Sequence, residues 1–237
     1  MLEIRRTPWH DFPDVTILAD ESTVKKHRAY FAAKTGDMNA ADAACDLVGA
    51  TVDASKIDWL NLRFNQEAPI FVSVHAEEKS GRNVIPEIMA DVFADAFGWE
   101  HDPKIVQANV VNHTGASGFA RLARQAVFSG SAESGRNYVI VDDFIGQGGT
   151  IANLKGWIEH QGGMVLAAVV LTGKPYSAKI APSQEQLTTL RKKHGQLEDW
   201  WQNYFGFGFD YLTESEARYL VNSPDADTIR DRILAEA

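Results

Sequence analysis

Apolar residues recur at helical spacing over residues 23–34 and 40–48, and KTGDMN between these stretches supplies a Gly stop and an Asp start. From Pro69 the pattern changes. PIFVSVHA is an apolar, β-branched run of strand length, and IPEIMADVFADAFG after it sets Ile85, Ile88, Met89, Val92, Phe93 and Phe97 on one helical side. Pro86 suits that helix's first turn and Gly98 its stop. KIVQANVVNH reads as a second strand. YVIV at residues 138–141 is a short apolar run between polar neighbours, as a strand buried on both faces requires, and MVLAAVVLTGK from Met164 is another. Between these two, Ile151, Leu154 and Ile158 return to helical spacing. This alternation predicts an α/β fold, a doubly wound, Rossmann-like parallel sheet of at least four strands with right-handed crossovers.

The ends read differently. From Ser183 the chain is helical and rich in aromatics, with capping boxes predicted at Ser183/Gln186 and Thr213/Glu216. The expected organisation is one domain over residues 1–237: a helical N-terminal segment (1–65), an α/β core (66–175) and a helical C-terminal segment (176–237).

Composition narrows the chemistry. A formal charge of −9 with no Lys/Arg block disfavours nucleic acid as a partner, since such binding depends on neutralising phosphates. The cluster Lys25, Lys26, His27 and Arg28 reads as a solvated helix face. Cys45 is alone in an alanine-rich helix, so no disulfide framework or cysteine zinc cluster is available, and a buried thiol is expected. No apolar run follows the charged start, and residues 164–171 are too short to span a bilayer, so the expectation is a cytoplasmic protein acting on small molecules, without a membrane partner.

The densest chemistry is YVIVDDFIGQGGT, residues 138–150, in which a buried strand runs into two adjacent carboxylates and then a glycine-rich turn before a helix. First-turn amides have no intrahelical partner and carry partial positive charge, so a phosphate can bind there without a lysine. Gly146, Gly148 and Gly149 let the main chain approach closely, and Thr150 can cap the helix or donate to a phosphate oxygen. Asp142 and Asp143 accept from sugar hydroxyls. A ligand with a phosphate at one end and a cis-diol a few ångström away, such as ribose 5-phosphate, satisfies both halves. The Gly-Lys-Ser/Thr ending of nucleoside triphosphate loops and the G-x-G-x-x-G spacing of dinucleotide sites are both missing from the segment.

VIVDDFIGQGGT resembles the 5-phosphoribosyl 1-diphosphate (PRPP) signature of the type I phosphoribosyltransferases, over about 35 residues from Asn137. The resemblance implies the fold of that family with helical N- and C-terminal additions. It implies that Asp142 and Asp143 are the catalytic acids holding the ribose hydroxyls, and that Phe144, Ile145, Gly146, Gln147, Gly148, Gly149 and Thr150 complete the ribose and 5-phosphate site. Gln147 departs from the usual threonine or serine, leaving that part of the cradle to backbone amides. Gly146 stands where 6-oxopurine enzymes carry an aspartate, which argues against hypoxanthine or guanine as acceptor.

The same resemblance makes Lys79, Ser80, Gly81 and Arg82 the candidate pyrophosphate loop after the first core strand, with a surface turn of ordinary charges as the alternative. Arg121 and Arg124, three apart on a possible helix, are a candidate shared anion site, with a solvated helix face as the alternative. His75 at a strand end is a candidate proton carrier or a structural histidine, and Lys174 a candidate base contact or an exposed lysine. Trp200, Trp201, Tyr204, Phe205 and Phe207 either stack on a base as an acceptor hood or form core or an interface. Magnesium is expected to arrive on PRPP, possibly touching Asp142 and Asp143, with no direct protein metal site. The implied activity is transfer of the phosphoribosyl group to a nitrogen acceptor, a nucleobase or related small molecule, with release of pyrophosphate. The alternative is a non-catalytic PRPP or nucleotide sensor, or an interaction protein, on the same fold. A homodimer is common in the family.

Overall fold

In a computed structural model describing residues 4–36, 38–74, 77–78, 81–109 and 117–237, four strands form a wholly parallel central sheet. They are β1 (Thr16–Ile17), β2 (Ile70–Ser73), β3 (Asn137–Ile145) and β4 (Met164–Gly173), ordered β1-β4-β3-β2. Strand side chains alternate between faces. Val139 and Val141 of β3, with Ala167, Val169 and Leu171 of β4, join one apolar cluster; Tyr138 and Ile140, with Val165, Ala168 and Val170, join another. Leu166 is an extra residue at the register shift beside Tyr138/Val139, and it resets the alternation along β4. Burial on both faces is why these two strands read as continuous apolar runs.

The first face is covered by α1 (Glu21–Lys26), α2 (Tyr30–Thr35), α3 (Ala40–Thr51), α4 (Asp58–Phe64) and α5 (Ile85–Phe97). The helix expected over residues 23–34 is two helices, because the chain turns extended at His27. In α3 the buried residues are Ala40, Ala44, Leu47 and Val48. Cys45 falls off that face and is exposed, which corrects the buried thiol. α5 carries Pro86 in its first turn and ends at Gly98 with φ +68°, as expected.

The strand expected at 104–113 is not in the sheet. Val106–Gln107 pairs antiparallel with Phe128–Ser129 as a separate unit, and residues 110–113 lie outside the described residues. The edge of β2 is already occupied, since the Phe71 amide donates to the Glu100 carbonyl (2.8 Å) and the Asp102 amide to the Phe71 carbonyl (2.9 Å). The fourth strand is instead β1, from the N-terminal segment read as helical.

α6 (Gly118–Ala123) and α7 (Gly149–Glu159) follow, α7 packing Ile151, Leu154 and Ile158 under the second face. α8 (Gln184–His194), α9 (Glu198–Phe205), α10 (Glu214–Val221) and α11 (Ala226–Glu236) enclose a third apolar cluster around Trp201. The Thr213/Glu216 capping box forms. At Ser183 only half does: its hydroxyl accepts from the Gln186 amide, while its own amide donates to Glu214 Oε2 (2.7 Å). Among the described residues no helix is long and apolar enough to cross a membrane.

Candidate phosphosugar site

The turn between β3 and α7 is shaped by hydroxyls from outside it. Ser177 Oγ donates to the Gly146 carbonyl (2.5 Å) and Thr213 Oγ1 to the Gln147 carbonyl (2.5 Å). A trans peptide points its carbonyl and amide in opposite directions, so the Gln147 and Gly148 amides face away from these hydroxyls. Gly148, at φ +83°, is the N-cap of α7 and has no side chain to satisfy the first-turn amides. Thr150, expected as a possible cap, is the second residue inside the helix.

This turn is one wall of a cavity of about 670 Å³ that every residue from Asp142 to Thr150 lines. Strand alternation sends the two acids to opposite sides. Asp143 faces the N-terminal helices, where Lys34 Nζ of α2 lies 2.7 Å from its Oδ2. Asp142 Oδ1 accepts from the Asp143 amide (2.7 Å). Burial, and then the neighbouring Asp143, push the Asp142 carboxyl well above the usual aspartate range. At the rim, Glu21 accepts from Lys174 (2.7 Å) and Lys25 (2.6 Å), and these bonds hold its carboxyl below the ordinary range. Arg121 lies against the turn, with its Nη1 only 2.5 Å from where a Gly146 Cβ would be.

Beneath α7 sits a buried charge cluster. Arg6 donates to Glu216 Oε2 (2.6 Å) and Oε1 (2.9 Å), to Asn153 Oδ1 (2.7 Å), to Gln125 Oε1 (3.0 Å) and to the Tyr211 carbonyl (3.1 Å). The Arg6 and Glu216 side chains are 1% and 3% exposed. Glu216 Oε1 would be 2.7 Å from a Cβ on Gly149, so a carboxylate stands beside the first turn of α7. Its bidentate pairing with Arg6 keeps that charge from opposing an anion there.

The remaining candidates divide. Arg121 lines the cavity. Arg124 does not, because α6 ends at Ala123 and Arg124, in a non-helical conformation, bonds the Glu236 carbonyl (2.8 Å) and carboxylate (3.1 Å). The shared Arg121/Arg124 anion site is thereby corrected. Arg82 pairs with Glu87 (2.7 Å) outside the cavity lining, and Gly81 is in the short antiparallel pair Glu77–Glu78/Gly81–Arg82. His75, Lys79 and Ser80 lie outside the described residues. Lys174 lines the cavity.

Trp200, Trp201, Tyr204, Phe205 and Phe207 are not in the cavity wall. Trp201, Phe205 and Phe207 are buried in the C-terminal cluster, Trp200 packs partly buried against it, and Tyr204, 41% exposed, stacks on Trp200 at 4.9 Å, so three of the five are core and none forms a base-stacking hood over this cavity. The wall is built instead from α10, by Ser215, Glu216, Arg218 and Tyr219, with Asn222 just past its end. Sequence reasoning missed Lys34 and the Arg6–Glu216 pair and left Lys25 in solvent; residues 109 and 210 positions from their partners carry no local signal.

Ser73, His101 and Asp91 form a hydrogen-bonded series, with Ser73 Oγ 3.1 Å from His101 Nε2 and His101 Nδ1 2.7 Å from Asp91. Ser73 is 1% exposed, which denies a nucleophile access to substrate. For magnesium, no three His, Cys, Asp or Glu side chains among the described residues converge as a ligand set. Asp142 and Asp143 can supply one or two oxygens, which fits an ion held mainly by ligand phosphates and water.

No family model matches the chain. Protein TraN of Escherichia coli is 40% identical over 231 residues, covering 97% of this chain and 51% of TraN. An uncharacterized protein of Haemophilus influenzae is 37% identical over 155 residues, covering 65% of this chain and 34% of that protein. The chain thus spans about half the length, or less, of these curated relatives. Among solved structures, a crystal structure of adenine phosphoribosyltransferase has 16% sequence identity and a TM-score of 0.38, covering 60% of this chain and 75% of that one.

Proposed function

We propose that this chain binds PRPP in the cavity at the end of β3 and transfers its phosphoribosyl group to a nitrogen nucleophile, releasing pyrophosphate. The observation that carries this reading is that the whole motif, Asp142 to Thr150, lines one cavity together with Lys25, Lys34, Lys174 and Arg121. The 5-phosphate would take the turn amides and the first turn of α7. The ribose hydroxyls would lie over Asp142 and Asp143, and the 1-diphosphate would meet the cationic rim. Magnesium, when bound with PRPP, neutralises part of the diphosphate charge.

In the reaction the acceptor nitrogen's lone pair forms a bond to the anomeric carbon as the bond to the diphosphate oxygen breaks, its electron pair leaving with pyrophosphate. Positive charge builds on the ribose in between, and carboxylates beside the ring favour it. Cations at the rim favour the leaving group. No covalent enzyme intermediate is needed.

The first test is calorimetric titration with PRPP and magnesium, with ribose 5-phosphate and pyrophosphate as controls. Binding followed by pyrophosphate release with any small nitrogen acceptor supports the transferase. Binding with no release across an acceptor screen favours a PRPP sensor on this fold, and no binding at millimolar PRPP refutes the reading.

A further inference from the structure

The α10 side of the cavity carries a cation in a different setting from the lysines. Arg218 lines it together with Tyr176, Ser215 and Tyr219. Its guanidinium lies 4.7 Å from the centroid of the Tyr176 ring, and its Nη2 donates to Ser215 Oγ (2.8 Å). Among the described residues no carboxylate pairs with Arg218, whereas Asp143 pairs with Lys34, and Glu21 with Lys25 and Lys174. The Tyr176 ring is 60% exposed, so it holds the guanidinium at the surface of the cavity, within reach of a ligand.

A directed chain of hydrogen bonds ties this arginine to the phosphate turn. Ser177 Oγ gives its one proton to the Gly146 carbonyl (2.5 Å), so the 3.0 Å bond between the two serine hydroxyls must be donated by Ser215. Ser215 Oγ in turn accepts from Arg218. A guanidinium keeps its proton and only donates, so the chain runs one way, from Arg218 through both serines to the turn. The Ser215 bond uses one of five N–H groups that point outward in a fixed fork. Such a fork matches the two oxygens of a carboxylate. Glu216, in the same wall, is paired with Arg6 and does not oppose an incoming acid.

Resting on the PRPP reading above, we propose that the acceptor is a small carboxylic acid that also carries the nitrogen nucleophile, and that Arg218, held by Tyr176 and Ser215, selects it by binding its carboxylate. With the 5-phosphate at the turn, the ribose over Asp142 and Asp143 and the diphosphate at the lysine rim, the α10 side is wall that PRPP leaves to the acceptor. A carboxylate fixed on Arg218 sets the acceptor at a constant place relative to the turn, because the serine chain sets Arg218 there. The diphosphate is the competing anion for the same guanidinium.

The test titrates nicotinate, orotate and anthranilate, each against its carboxamide, into the full chain with and without magnesium PRPP, and repeats the series on Arg218→Met and Tyr176→Ala. With magnesium PRPP present, at least one acid should bind about ten-fold tighter than its amide. That preference should vanish in Arg218→Met, and Arg218→Lys, which keeps the charge without the fork, should retain only part of it. Tyr176→Ala is a second arm that does not depend on Arg218→Met folding; it removes a mostly exposed ring and should shrink the preference. Acids that bind no tighter than their amides in wild type, or a preference that survives Arg218→Met, refute the acid acceptor while PRPP binding stands. A loss of PRPP affinity of about ten-fold or more in Arg218→Met assigns the guanidinium to the diphosphate and refutes it as well. Wild type that binds no PRPP yet prefers the acids ends the transferase reading and leaves Arg218 as a carboxylate site; with neither, both fall.

Discussion

Arg6 is the residue whose loss should be felt most. Its five N–H groups are all used, two of them on Glu216, and both side chains are almost wholly removed from water. Arg6→Met keeps much of the volume but leaves the Glu216 carboxylate buried with the Thr213 amide (2.9 Å) still donating to it and the guanidinium gone. Breaking such a pair costs about 3–5 kcal/mol. For a chain of 237 residues the unfolding entropy is about 0.5 kcal/mol per kelvin, so thermal unfolding followed by circular dichroism should show Tm lowered by about 6–10 °C. Arg6→Lys should rescue little, because an ammonium has three donors and cannot form the fork on Glu216. Adding Glu216→Gln to Arg6→Met should recover a substantial part of the loss, since the stranded charge is removed with it. A fall of less than about 2 °C in Arg6→Met would refute the claim that this pair ties the N-terminal segment to α7 and α10.

The other predictions concern the site and its supports. Asp142 has a folded-state pKa raised above 3.8, so its contribution to stability is complete below that value and is lost as pH rises through the raised one. Asp142→Asn should therefore melt higher at neutral pH, with a flatter pH dependence, yet bind PRPP more weakly; a variant no more stable than wild type at pH 7 contradicts the burial argument. Arg121→Ala should weaken PRPP at least about ten-fold, whereas Arg124→Ala, which loses only a partly exposed tether to Glu236, should leave PRPP affinity unchanged and cost under about 1 kcal/mol; calorimetry and melts on the pair decide it. Gly156→Ala puts a Cβ 2.0 Å from the Arg5 carbonyl oxygen and should cost about 2 kcal/mol in urea titration, with the loss read as a shift in midpoint.

What was legible in the sequence was what is local. β3 and β4 are buried on both faces, so their apolar runs announced them, and the acid pair and glycine turn follow β3 without a break. β1 was missed because Thr16–Ile17 is too short for a period to register; its place depends on Leu18 and Ala19 amides reaching the Val170 and Leu171 carbonyls (3.0 and 2.8 Å). The 104–113 strand failed for the opposite reason. Its residues suit a strand, but Glu100–Asp102 had already met β2, and propensity does not record which edge is vacant. Aromatic density in residues 200–207 marked a core without saying that it was not a binding face. Arg121 and Arg124 have the spacing of neighbours on a helix, and only the end of α6 between them separates their fates.

Three of the carboxylates that line the cavity are held by cations. Lys34 holds Asp143, Lys25 and Lys174 hold Glu21, and Arg6 holds Glu216. The first turn of α7, capped by a glycine, differs in offering amides with no side-chain cap. The two ends of the cavity therefore ask different things of a ligand. At the turn an anion meets fixed dipoles and displaces no ion pair, so a single phosphate suffices. At the rim it must compete with carboxylates for partly exposed ammonium groups, where charge density decides the outcome and salt weakens it. A molecule with one phosphate at the first end and two at the second matches that asymmetry, and a nucleoside monophosphate or free ribose 5-phosphate matches only its first half.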